Sequence, residues 1–126
     1  MALLLAEDYE YLSERGIRIE EDEAQRFVIF RQWELPGQLY AVDKADVLIT
    51  LPTNYNDQGN DMFWVFPALT RRDGRPISNL SPNEKNFEGR GWQRWSRHWQ
   101  NSPWRAGVDN VRSIIRRVEW CLERGE

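Results

Sequence analysis

The chain offers one thiol and one imidazole, Cys121 and His98, and whatever covalent or acid–base chemistry it performs must be built around so small a set. A thiolate accepts acyl groups at neutral pH because sulfur is both nucleophilic and a good leaving group. Cys121, however, falls three residues after Val118 on an apolar helical stripe, where a cysteine behaves as a small inert hydrophobe. One cysteine forms no intramolecular disulfide. One cysteine and one histidine also leave no basis for a zinc site of nitrogen and sulfur ligands, so neither metal nor cofactor is expected.

His98 sits in the stretch Gly91–Trp104, GWQRWSRHWQNSPW, which holds four of the seven tryptophans. Taken as a helix, Trp92, Trp95 and Trp99 share one stripe at i, i+3 and i+7, a plug for a small core. Arg90, Arg94, Arg97 and His98 then fall on the other side as a basic rim suited to carboxylates on a partner. His98 has three candidate roles: acyl acceptor or general base, partner recognition, or plain structure. Ser96 lies two residues away and does not share its helical face, and no acid stands three or four residues off to orient the ring. Basic residues beside aromatics also suit single-stranded nucleic acid. Here the tryptophans point into the core and the net charge is −3, so nucleic acid is not an expected partner.

The elements that must position these groups fit in one domain, residues 1–126. At 40% apolar and 29% charged residues the composition is that of a soluble globular chain, and no apolar run approaches membrane-span length. The opening MALLLAEDYE lacks a basic n-region and does not read as a signal peptide, so a cytoplasmic location is expected. Charge is unevenly spread: residues 1–63 carry 5 basic and 13 acidic side chains, residues 64–126 carry 12 and 7. The two halves either neutralise one another or present a charged surface to a partner.

In chain order, Ala2 to Arg15 reads as a helix with Leu5, Tyr9 and Leu12 on one face and acids on the other. The acidic run Glu20–Glu23 reads as a loop or strand edge. Strands are predicted at Arg26–Leu35, Leu39–Val42, Ala45–Leu51 and Met62–Leu69, separated by Pro36-Gly37, Pro52 and the turn-forming TNYNDQGND. Arg71 to Gly91 is punctuated by Gly and Pro and reads as a long irregular connection. The last helix spans about Val108 to Arg124, with Val111, Ile114, Ile115, Val118 and Leu122 forming its buried stripe. The expected fold is α+β: an N-terminal helix, a four-stranded antiparallel meander, a long loop, and C-terminal helices packed on one sheet face.

That order, with Leu51–Trp64 (LPTNYNDQGNDMFW) in the middle and Trp92–Trp99 (WQRWSRHW) followed by Trp104–Val111, resembles the ubiquitin-conjugating enzymes, and within them a divergent bacterial branch, prokaryotic family E. The resemblance covers about Arg26 to Leu122 and implies a UBC-like fold, with Pro52-Thr-Asn-Tyr55 in the place of that family's Pro-x-x-Tyr turn. It implies a bacterial ubiquitin-like pathway with a ubiquitin-like modifier, its activating enzyme and often a JAB-type isopeptidase. Two departures stand out. The loop that carries the nucleophilic cysteine in conjugating enzymes holds none here, and its His-Pro-Asn motif has only Ser81-Pro82-Asn83 as a counterpart. The first helix, Lys- and Arg-rich in those enzymes, is acidic. The expectation is a pseudo-enzyme that binds modifier or activating enzyme through Arg90, Arg94, Arg97, His98, Tyr55 and Trp64. The alternative is an atypical conjugating enzyme that carries the modifier on His98 or, less readily, Cys121.

Overall fold

Alternation governs the centre of the molecule. In FVIF of Phe27–Phe30 every side chain is apolar, and a strand sends successive side chains to opposite faces, so such a run must be covered on both sides. The computed structural model describes residues 2–98 and 103–126, with residues 82–86 described by their backbone. In it β1 (Ile19–Asp22), β2 (Phe27–Glu34), β3 (Lys44–Thr50), β4 (Phe63–Phe66), β5 (Leu80–Phe87) and β6 (Arg90–Trp95) form one antiparallel sheet ordered β1-β2-β3-β4-β6-β5. Helix α1 (Ala6–Glu14) precedes it and α2 (Val111–Arg124) follows.

The α+β class with a helix at each end is therefore as expected, but the sheet has six strands rather than four. Glu20–Glu23 overlaps the edge strand β1, while Leu39–Val42 yields only an isolated bridge between Tyr40 and Arg71. The connection expected to be irregular from Arg71 to Gly91 contains β5 and the start of β6. Glu88 and Gly89, with φ of 58° and 72°, close these two strands in a two-residue turn whose left-handed backbone matches hairpin twist.

The tryptophan stretch is the main correction. Its first part, Gly91–Trp95, lies in strand β6 rather than a helix, so Trp92 and Trp95, three residues apart, point to opposite faces instead of sharing a stripe. Both are fully buried. Trp95 joins Val28, Phe30, Val47, Ile49, Phe63 and Val65 beneath Leu12 of α1 and Val111, Ile114, Val118 and Leu122 of α2. Trp92 joins Phe27, Ile29, Leu48 and Trp64 in a smaller cluster on the other face. Trp99 lies outside the described residues.

No helix from the described residues covers that smaller cluster. The β5–β6 turn does so by curling back across the sheet. Phe87 meets Phe27 edge-on at 5.1 Å between ring centres, and Glu88 reaches Arg31 on β2 at 2.6 Å. Arg31 also holds Glu20 at 3.0 Å and Asp46 at 2.8 Å. Hydrogen bonds to Glu20 and Glu88 lead the interactions that raise its pKa, so this clasp stays charged.

Helix α2 begins and ends on specific caps. The Asn110 side chain accepts from Arg112 N at 3.0 Å, and the backbone N–H of Asn110 donates to Ser113 Oγ at 3.2 Å. Gly125 takes the left-handed conformation at the other end, with φ 61°.

Candidate functional site

Strand pairing brings the lone histidine to an acid. Because β4 and β6 run antiparallel with Phe63 opposite Trp95, the residues just before β4 and just after β6 leave the sheet on the same side. Asp61 is two residues before Phe63 and His98 is three after Trp95, and His98 Nδ1 lies 2.6 Å from Asp61 Oδ1. In the neutral tautomer that donates Nδ1–H to the carboxylate, Nε2 is an acceptor on an exposed ring, the side chain being 44% accessible. Arg117 of α2 donates to the His98 carbonyl oxygen, which ties the segment to the helix.

The loop that delivers Asp61 is held from three directions. Tyr55 donates its hydroxyl to Asp8 Oδ2 at 2.7 Å, and the buried Asp8 carboxylate also accepts from Leu5 N at 3.0 Å and Val111 N at 3.2 Å. One side chain thus joins both helices to the loop. Burial, reinforced by Asp8, raises the Tyr55 pKa and keeps the hydroxyl a donor. Trp104 Nε1 donates to Asn56 O at 2.9 Å, and its ring lies so close to Gly59 that a Cβ there would stand 2.3 Å from Cε3. Only glycine fits at that point. Asn56 in turn donates its amide to Asp109 O at 2.9 Å.

Cys121 is 2% accessible and lies in the helix–sheet core. Burial pushes its thiol pKa up, against the lowering influence of Arg117, Arg97 and Arg124. A buried thiol held protonated presents no nucleophile.

The basic residues do not form a single rim. Arg90 and Arg94 share the strand face of Trp92: Arg90 lies over the Phe66 ring at 4.4 Å, and Arg94 donates to Ser81 Oγ at 3.1 Å. Arg97 is half-buried, lies 4.9 Å over the Trp95 ring and donates to the Glu126 carbonyl, while burial lowers its pKa. Only His98 is both exposed and aimed by an acid at the end of β6. Trp64 is packed among Phe27, Ile29, Leu48 and Trp92, and Tyr55 is turned toward α1. Ser81-Pro82-Asn83 falls inside β5. Among the described residues no group of three His, Cys, Asp or Glu side chains stands close enough to hold a metal ion.

Sequence reasoning missed Asp61 as the partner of His98 because it looked for an acid within one helical turn. The pairing instead spans 37 residues and depends on strand order. It also missed Asp8, whose signal was present only as one more acid on a helix with an acidic face.

The sequence profile of prokaryotic E2 family E matches residues 4–125. The chain belongs to that family. No curated protein and no solved structure is significantly similar to it. Within this family E chain, the segment Leu51–Trp64 supplies Tyr55, Gly59 and Asp61, each with a distinct contact described above. No helix among the described residues is long and apolar enough to cross a membrane.

Proposed function

We propose that this family E chain is a UBC-like, ubiquitin-conjugating-like domain that engages a ubiquitin-like modifier or its activating enzyme without forming a thioester of its own. The observation that carries this reading is the burial of Cys121, the chain's only sulfur nucleophile, inside the core. A thioester on that atom would need a carrier protein's terminus inserted between α2 and the sheet, at the cost of the packing that holds the domain together. Partner contact falls to the exposed end of β6, where His98 offers an imidazole acceptor, with Arg90 exposed at the other end of the strand. Arg94, Arg97, Tyr55 and Trp64 serve this surface from within by fixing the strands and the loop. The same reading puts the chain in the cytoplasm of a bacterium, with a JAB-type isopeptidase among its pathway neighbours.

The test is calorimetry with the cognate modifier and activating enzyme. Cys121→Ala should bind either protein as the wild type does. Absence of binding to both by the wild-type chain would sink the proposal.

One observation favours a second reading. The 2.6 Å contact between Asp61 and Nδ1 leaves Nε2 as the basic nitrogen, the arrangement an imidazole needs to accept an acyl group or a proton. In that case the chain is an atypical conjugating enzyme with His98 as its reactive group. A covalent adduct lost in His98→Ala would establish it.

A further inference from the structure

The charge asymmetry between the two halves of the chain is only partly met inside the fold, by Asp43 with Arg72 and Asp61 with His98. On α1, Glu7, Glu10 and Glu14 are exposed at i, i+3 and i+7, in one stripe. On α2, Arg112, Arg116, Trp120 and Arg124 are exposed at four-residue intervals, in another. Among the described residues, Glu7, Glu10, Glu14, Arg112 and Arg116 join no ion pair. Like charges one helical turn apart repel, so each stripe carries a local cost that an opposite surface would relieve.

The basic stripe has an apolar centre. Trp120 is 51% accessible, with the guanidinium of Arg117 5.3 Å and that of Arg124 4.7 Å from its ring centre. Tryptophan and arginine are the side chains that most often dominate protein interfaces. The acidic stripe borders the start of the basic one: a groove of about 200 Å³ between the helices is lined by Glu7, Glu10 and Glu14 on one side and, on the other, by Arg112, whose guanidinium lies 4.8 Å over the Tyr11 ring.

We infer that this face docks a second copy of the chain. A two-fold axis running along the groove sets α1 of each copy against α2 of the other, so that an acidic stripe meets a basic one twice in the dimer, each Trp120 facing the α1 of the other copy. A nucleic acid or an anionic membrane fits less well, because the acidic stripe borders the arginines and would repel a broad polyanion. The inference is independent of the thioester question.

Sedimentation of the full chain over a concentration series, at low and high salt, tests it. The mass should rise toward two chains with concentration and fall with salt. Trp120→Ala should weaken association by about tenfold or more, and so should Arg112→Glu with Arg116→Glu. Glu10→Arg with Glu14→Arg should do the same alone, and an equal mixture of the two charge-reversed proteins should associate again. All of these side chains are exposed, so circular dichroism should show unchanged folding. A mass of one chain at every concentration, association indifferent to these changes, or a mixture that stays monomeric would overturn the inference. So would a monomeric wild type that binds a polyglutamate peptide through Trp120, which would assign the face to a foreign acidic partner.

Discussion

The surroundings of Cys121 and of His98 differ in almost every physical respect. The sulfur is enclosed by α2 and the sheet, is 2% accessible and has a raised pKa. The imidazole stands at the end of β6, open to solvent, with one nitrogen occupied by Asp61 and the other free to act. A nucleophile by composition is thus shut away, while a group with no acid near it in sequence receives one through strand pairing. Reactivity is decided by placement, and here placement favours the rim.

If that contrast is right, the core should be fragile and the rim tolerant. The largest effect belongs to Trp95→Ala. This ring stacks on Phe63 at 5.5 Å and donates its N–H to Gln93 Oε1 at 3.0 Å, and Gln93 Oε1 also accepts from Leu69 N. A loss of about 3–5 kcal/mol is expected in denaturant unfolding. A loss below about 1 kcal/mol would mean the cavity heals and the core is less tightly packed than described.

Cys121→Ser comes next. It sets a hydroxyl in place of the thiol in apolar surroundings and should cost about 1–3 kcal/mol. In the wild type, a thiol reagent should label Cys121 only as fast as the domain opens. Rapid labelling of the folded protein would erase the difference between the two sites.

Asp109 sharpens the comparison through pH. Burial raises its pKa, but the Arg105 guanidinium, the Arg105 backbone N–H and the Ser113 hydroxyl outweigh that and hold it below the ordinary value. A depressed folded-state pKa gives stability that is fully present above the unfolded value near 4 and is lost as pH falls through the folded value. Unfolding free energy should therefore drop on acidification below about pH 4. Asp109→Asn should flatten that part of the curve. An identical pH profile would show that this carboxylate does not anchor the start of α2.

The smallest stability effects belong to the rim. Asp61→Asn and His98→Ala should each change stability by less than about 0.5 kcal/mol, since both side chains are exposed. A loss comparable to that of Trp95→Ala would make the pair structural rather than functional.

Much of the scaffold is legible in the sequence because its periodicities are strong. The α2 stripe of Val111, Ile114, Ile115, Val118 and Leu122 is buried as its spacing requires, and the apolar runs of β2, β3 and β4 lie within a residue or three of where composition puts them. The segment around Trp92 and Trp95 misleads for a physical reason. A strand buried on both faces shows apolar residues at an i, i+3 interval that equally fits one face of a helix. The Glu88-Gly89 turn was the local signal against a helix. The His98–Asp61 pair cannot be found by spacing at all, because it exists only once β4 and β6 are known to be neighbours.

Intact-mass measurement of the chain, after incubation with its activating enzyme, modifier and ATP, tests the central claim most directly. The proposed function predicts the mass of the unmodified chain, in the presence or absence of a thiol reductant. A modifier-sized increase that disappears in Cys121→Ala or in His98→Ala would contradict it, and would name the atom that carries the acyl group.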